Sequence, residues 1–201
     1  MLPTTLSPVP LAPELSLYLV TEPVGLFDLT GGEFHSDRPP PFWAFAWAGG
    51  QALARFLLDH PFEVSGRRVL DVATGSGVAA IAAAYAGAAA VACSDIDPAA
   101  VEAAHRNASA NGLSLVGRLD DPEVLLAGDV FYSPTVAPKM VAELRAARNR
   151  GAQVLVGDPG RGFFPGHLFD LVAEYVVPVP TTLEDTETLV TGVWRMRSSR
   201  N

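Results

Sequence analysis

Apolar positions in this chain fall into short runs separated by turn residues, and the period of each run predicts its structure. Arg68 to Val72 is a short run with a β-branched bias that stops at Thr74-Gly-Ser-Gly77, the pattern of a buried parallel strand. Val78 to Ala86 is rich in alanine, with Ile81 and Tyr85 spaced for one helical face and Gly87 placed as a C-terminal cap. A second strand then leads from Ala90 to Asp95. Pro98 opens a helix with Asp97 as its N-cap, and Asn111-Gly112 closes it. Ser114 to Leu119 reads as a third strand, and Asp120-Asp121-Pro122 as a turn whose carboxylates reach an adenine amino group or cap a short helix, the cap being favoured, with the crossover here too brief for a full helix. Val124 to Tyr132 is a fourth strand ending in Asp129 and Tyr132. Pro138 to Arg150 is a helix capped by Gly151, and Gln153 to Gly157 a fifth strand leading into Asp158-Pro-Gly-Arg161. Gly166 to Tyr175 suggests a helix, Val176 to Pro180 a strand and Leu189 to Met196 a last strand.

Alternating strands and helices predict a doubly wound α/β sheet over residues 41–201. Residues 1–40 read as a proline-rich, partly mobile extension, with Pro3, Pro8, Pro10 and Pro13 keeping its start extended. Glu14 to Thr21 alternates in a way that fits a strand or a short helix, and Gly25 to Pro41 is a long loop. Pro41 to Gln51 then places four aromatics close together ahead of a helix predicted from Ala52 to Leu58. Those rings suit core packing against the sheet. They also suit a wall over a ligand, and the paired Gly49-Gly50 amid large side chains, marking a close backbone approach, favours that second reading for Trp47, Gly49 and Gly50.

Length and composition narrow the classes. The 201 residues suit one domain with an extension, and 49% hydrophobic against 18% charged residues is a globular balance with no run long enough for a membrane span. A net charge of -8 argues against broad phosphate-backbone binding and favours a cationic partner. The single cysteine, Cys93, falls inside a predicted strand and reads as a buried thiol. Residues 1–37 carry no Lys or Arg, which removes the usual secretory and transit signals and leaves a cytoplasmic location as the expectation. His35, His60, His105 and His167 lack metal-ligand spacing, so no metal is expected.

The glycine turn carries the chemistry. Gly75 and Gly77 allow a sharp turn and a ligand's close approach to the helix start, and Asp95 follows Gly75 by about twenty residues, the spacing of a carboxylate that grips both hydroxyls of a ribose. A dinucleotide also fits this pattern loosely. Asp71, at the strand end before the turn, would repel a pyrophosphate at short range. S-adenosylmethionine (SAM) has no phosphates and carries a sulfonium and an ammonium that such an acid attracts. SAM is therefore the expected cofactor, with Trp47, Gly49, Gly50, Asp71, Thr74, Gly75, Gly77, Asp95 and Ile96 as its candidate contacts.

Strand, glycine turn, ribose carboxylate and a further acidic strand end together form the pattern of a class I SAM-dependent methyltransferase. Asp129-Val-Phe-Tyr132 lacks the prolines of base amino-methyltransferases and resembles the Asp-x-x-Tyr signature of seven-strand protein lysine methyltransferases. With Pro41 to Leu53, Gly128 to Tyr132, Val154 to Arg161 and Thr191 to Trp194 in order, the chain resembles the bacterial type of the electron-transfer flavoprotein β-subunit lysine methyltransferase family from about residue 13 to 197. That resemblance implies a Rossmann-like seven-stranded sheet, mostly parallel with an antiparallel last strand, and a protein partner, the flavoprotein β subunit, methylated on lysine. Two departures stand out: Ala73 replaces a glycine common in the cofactor loop, and Gly192 stands where a threonine is usual.

Within this reading Asp129 docks the incoming ammonium and orients the neutral amine, and Tyr132 shapes the lysine channel or packs as a core aromatic. Asp158 and Arg161 either meet substrate or only form a turn. A small-molecule amine N-methyltransferase, a nicotinamide oxidoreductase and a SAM-binding protein without activity are the competing classes; Asp71 argues against the oxidoreductase and the intact Asp129 against the silent binder.

Overall fold

A computed structural model describes residues 3–20 and 40–198. Strands β3 (Arg68–Val72), β4 (Ala90–Ser94), β5 (Val124–Gly128) and β6 (Gln153–Asp158) run parallel, while β8 (Thr188–Met196) runs antiparallel to both β6 and β7 (Phe169–Pro178). Their order in the sheet is β4-β3-β5-β6-β8-β7. Chain direction therefore brings the ends of β3, β4, β5 and β6 to one edge, as expected of a doubly wound sheet with an antiparallel last strand.

The seven expected strands are six among the described residues. The third, over Ser114 to Leu119, is reduced to one parallel bridge between Ala92 and Val116. Among the described residues the chain passes from α3 (Pro98–Ala110) to β5 without a helix, and Val116 stays exposed. Asp120 and Asp121 accordingly cap no helix; Asp120 pairs with Arg118 at 3.0 Å instead.

The helix expected from Gly166 to Tyr175 is a second correction. A 3-10 turn at Gly166–Leu168 leads straight into β7, which absorbs the strand expected over Val176 to Pro180. A register shift between Leu171 and Ala173 interrupts the two-residue alternation, and the outermost position leaves much of the strand exposed, so the period that identifies a strand is blurred.

Each face of the sheet has its own core. Val69, Val91, Leu126 and Leu155 pack with α1 (Ala48–Asp59), α2 (Val78–Tyr85) and α3. Leu125, Val154 and Val156 face the other way, under α4 (Ala137–Asn149) and the buried rings of Phe131 and Phe169. The predicted cap at Asp97 is in place: it accepts from the Ala99 N–H at 2.9 Å, with Pro98 behind it.

Within the extension, expected to be partly mobile, residues 3–20 pack on the domain. β1 (Thr5–Pro8) and β2 (Ser16–Leu19) form an antiparallel hairpin whose Leu15 and Leu17, with Val9 and Ala12, are fully buried in the first core. The alternation over Glu14 to Thr21 thus resolves as a strand, because α3 gives its apolar side something to cover. Buried Asn107 on α3 accepts the Tyr18 N–H at 2.8 Å and donates to the Ser76 carbonyl at 2.8 Å, so one side chain joins the hairpin to the glycine turn. Arg106 lies over the Tyr18 ring, 3.6 Å from its centroid. The loop expected from Gly25 to Pro41 falls outside the described residues except at its last two positions.

The helix predicted from Ala52 begins four residues earlier, at Ala48, and takes in both glycines. The reason is contact with the sheet. A Cβ on Gly49 would run into the Gly157 carbonyl and lie 2.7 Å from Asp129 Oδ2, one on Gly157 would run into the Gly49 backbone, and one on Gly128 would lie 2.9 Å from the Gly50 nitrogen. The first turn of α1 thus rests backbone to backbone on the ends of β5 and β6. Since backbone cannot rotate aside as a side chain can, Gly157→Ala is expected to cost about 3 kcal/mol, the upper end for overpacking, read from urea unfolding; a change below about 1 kcal/mol would show that α1 can back away.

Candidate active site

The sheet edge gathers two acidic centres. The first surrounds the glycine turn. Asp71, buried in β3, accepts from the Thr74 hydroxyl at 2.6 Å and from the Ala80 N–H at 3.2 Å, holding the loop against the start of α2. Burial outweighs the pull of these hydrogen bonds and, with the Asp95 carboxylate adding to it, leaves the carboxyl pushed up to about 7. An acid poised in this way gains from a cation. Gly77 turns the chain at φ 83° into α2, and a Cβ there would lie 2.7 Å from the Ala104 Cβ, so this glycine also lets α3 approach.

Asp95 stands just beyond β4, where the spacing puts it. Its Oδ2 accepts from Gly75 N–H at 3.0 Å and its Oδ1 from Asp97 N–H at 3.0 Å, leaving both oxygens with lone pairs for a further donor. Space above Gly75 is open, and Ile96 beside it is 91% exposed, a large apolar side chain with no protein cover. The combination fits SAM: an acidic floor, an open cradle over a helix start, a carboxylate at ribose range and an apolar surface for a base. Cys93 pairs with Asp71 across the strands, and burial, with both carboxylates adding, drives its thiol up to about 12, which makes it the inert core residue expected.

Ala73 explains one departure from the family pattern and exposes another cost. It adopts φ 52°, the left-handed conformation that glycine takes freely and alanine does not. At Gly192 a Cβ would lie inside the Trp194 indole and 2.9 Å from Leu171 Cδ1, so that indole occupies the room a threonine would need.

The second centre lies where α1 meets the sheet. Asp129 leaves β5 at φ 54°, so the strand ends at Gly128 and the carboxylate turns toward α1. Its Oδ2 accepts from Gly50 N–H at 3.1 Å, its backbone N–H donates to the Gly157 carbonyl at 2.9 Å, and its Oδ1 pairs with Arg161 at 3.2 Å. Burial raises its carboxyl to about 6; Arg161 opposes that rise and Asp158 adds to it. Arg161 is in turn gripped by Glu184, at 2.6 and 3.1 Å, from the short helix α5 (Thr181–Glu184). Asp158 shapes the turn through Oδ1, which accepts from Gly160 N–H at 2.8 Å and Arg161 N–H at 2.7 Å, and burial raises its carboxyl.

Tyr132 is 49% exposed beside this centre, 6.0 Å from the Phe42 ring, and burial with the nearby Asp95 carboxylate raises its hydroxyl. It therefore sits between the two acidic centres. Trp47 lies at the N-cap of α1, donates through Nε1 to the Phe42 carbonyl at 2.8 Å and packs edge-on to Phe42 and Phe45. The close approach that Gly49 and Gly50 mark is to the sheet backbone, with Gly50 holding Asp129. Glu184 and Phe42 are site residues that sequence reasoning missed. Glu184 has no motif around it, whereas Phe42 lay within the aromatic run.

Similarity to known proteins fits this geometry. The family model of ribosomal protein L11 methyltransferase matches residues 53–132. The electron transfer flavoprotein beta subunit lysine methyltransferase of Danio rerio is 38% identical over 199 residues, covering 92% of this chain and 76% of the relative. The protein of the same name from Xenopus laevis is 41% identical over 174 residues, covering 79% and 68%. The chain belongs to the electron transfer flavoprotein beta subunit lysine methyltransferase family. In fold, it is similar to the magnesium protoporphyrin IX methyltransferase of Synechocystis solved with bound SAM, with a TM-score of 0.52 at 15% identity over 74% of this chain and 78% of that one. It is a SAM-dependent methyltransferase with the Rossmann-like fold of its class.

Three outcomes follow for the cofactor edge. Asp71→Asn is expected to weaken SAM binding by about tenfold to hundredfold in calorimetry, the scale of a lost charge-assisted contact. Because the folded pKa of Asp71 lies above its unfolded value, its contribution to stability is present below about pH 4 and lost as pH rises through about 7. The ligand-free Asn variant should thus gain on the wild type toward neutral pH, and a constant difference across that range would remove Asp71 as the cause. Ala73→Gly should raise stability by about 1 kcal/mol in urea unfolding by relieving the left-handed alanine; a loss of stability would mean that φ costs nothing there.

Proposed function

We propose that this protein transfers methyl groups from SAM to lysine side chains on the β subunit of an electron-transfer flavoprotein, with Asp129 as the amine dock. The observation that carries the reading is the position of Asp129: a buried carboxylate at the sheet edge, held by Gly50 and Arg161, between the ends of β5 and β6. The flavoprotein as acceptor is supported by the names of relatives that match most of the chain. A net charge of -8 is in keeping with a lysine-bearing partner.

SAM supplies a methyl group made electrophilic by its sulfonium. The chain's task is alignment and charge. Asp71 and Thr74 would form the floor under SAM, Asp95 would accept from the ribose hydroxyls, Gly75 and Gly77 would leave room for it above the loop, and Ile96 would cover the base. Asp129 draws the lysine ammonium to the sheet edge and then accepts hydrogen bonds from the neutral amine. Tyr132, with Phe42 and Trp47 behind it, forms an aromatic side to the channel, where partial exclusion of water disfavours the charged amine. The amine lone pair forms the N–C bond as the C–S electron pair leaves with sulfur, and the proton that nitrogen sheds passes to solvent.

The test uses radiolabelled SAM with recombinant flavoprotein and, separately, whole-cell lysate. Label on the β subunit that falls at least about a hundredfold with Asp129→Ala is the expected result, with SAM affinity kept within about twofold. Label only on another protein or on a small amine would remove the flavoprotein; full activity in the variant would remove Asp129 from the site.

A further inference from the structure

The dock creates a chemical conflict. A buried carboxylate on its own stabilises the ammonium form of any lysine beside it, and an ammonium has no lone pair with which to attack a methyl group. The structure places a cation at that carboxylate already. Arg161 meets Asp129 Oδ1 at 3.2 Å, and both oxygens of Glu184 hold the guanidinium from behind, at 2.6 and 3.1 Å. Burial alone would weaken Arg161 as a cation, but Glu184 and Asp129 together outweigh it, so it stays charged. The other groups facing Asp129 are the Gly50 N–H from α1 and the Asp158 carboxylate at the end of β6, whose Oδ1 is already occupied by two backbone donors.

We propose that Arg161, pinned by Glu184, is a positioning residue that sets the protonation state of the acceptor amine: it shares its charge between Glu184 and Asp129, so the amine is offered a hydrogen-bond acceptor with a reduced countercharge to hold it as ammonium. This rests on the reading of Asp129 as the dock. It assigns work to the turn over Asp158 to Arg161 and to α5 that neither motif nor family name supplies. A cation near a lysine lowers the amine's pKa, a known route to a nucleophilic amine at neutral pH. The same guanidinium keeps buried Asp129 ionised. Both effects have one sign: removing Arg161 must push activity toward alkaline pH.

Arg161→Met and Arg161→Lys are compared with the full-length wild type, using flavoprotein β subunit, or whichever acceptor the transfer assay labels, at saturating SAM from about pH 6.5 to about pH 10, below the unperturbed lysine value of about 10.4. For Arg161→Met, kcat near neutrality should fall about tenfold or more and recover as pH rises, with the midpoint of the profile moved up by about one pH unit or more. Arg161→Lys keeps the charge but not the fork, and should keep the wild-type midpoint at a lower plateau. A second readout needs no acceptor: the 13C carboxyl titration of Asp129, assigned by its loss in Asp129→Asn, should move up from about 6 in Arg161→Met. A uniformly lower rate with an unmoved midpoint would make Arg161 merely structural, and a lower KM with an unmoved midpoint would make it a competitor of the substrate; either overturns the proposal, as does an unmoved carboxyl titration. Failure of the flavoprotein as acceptor would leave that titration untouched.

Discussion

The catalytic edge depends on how near one helix comes to the sheet. The first turn of α1 touches the ends of β5 and β6 through glycine backbone at Gly49, Gly50, Gly128 and Gly157, with no side chain between. That contact brings a helical N–H to 3.1 Å from Asp129 and buries the carboxylate at once. Without it the acid would be a solvated surface group with an ordinary pKa. The same approach fixes Trp47 at the helix start, and with it the Phe42 and Tyr132 side of the channel. Position, burial and charge state at Asp129 therefore share one mechanical cause.

Three acids, Asp71, Asp129 and Asp158, crowd this edge, and burial raises all three. Such groups cost stability in the empty protein, a cost typical of binding sites that wait for ligands of opposite charge. The two cations in the reaction, sulfonium and ammonium, are the natural recipients. Arg161 separates the two centres in charge: among the described residues no cation pairs with Asp71, whereas Arg161 pairs with Asp129. Under the proposed function the two acidic sites would meet different cations, one held as it is and one deprotonated.

Much of this was legible in the residues. The stretch from Arg68 to Asp95 announced strand, turn, helix and strand because each element is buried on both faces or capped by its own residues, so local pattern and tertiary setting agree. Asp129 was legible for the same reason, at the end of an apolar run. Two elements were not. The strand pattern over Ser114 to Leu119 cannot say whether a neighbour will extend the pairing beyond one bridge, and a register shift in β7 erases the alternation that marks a strand. Glu184 could not be found at all, since its importance comes from the folding of a distant turn onto Arg161 rather than from anything near it in the chain. The paired glycines were read correctly as a close approach, but the partner is the sheet.

The hairpin at the start of the chain has a consequence for how the protein is made. Its N–H groups at Ser16 and Tyr18 find their acceptors on Asn111 and Asn107, 95 and 89 residues later. During synthesis, which proceeds from the N-terminus, the apolar side chains of Leu15 and Leu17 leave the ribosome long before α3 exists to receive them. The hairpin can therefore close these hydrogen bonds only after α3 has been made, and Asn107, which also holds Ser76, then joins it to the glycine turn.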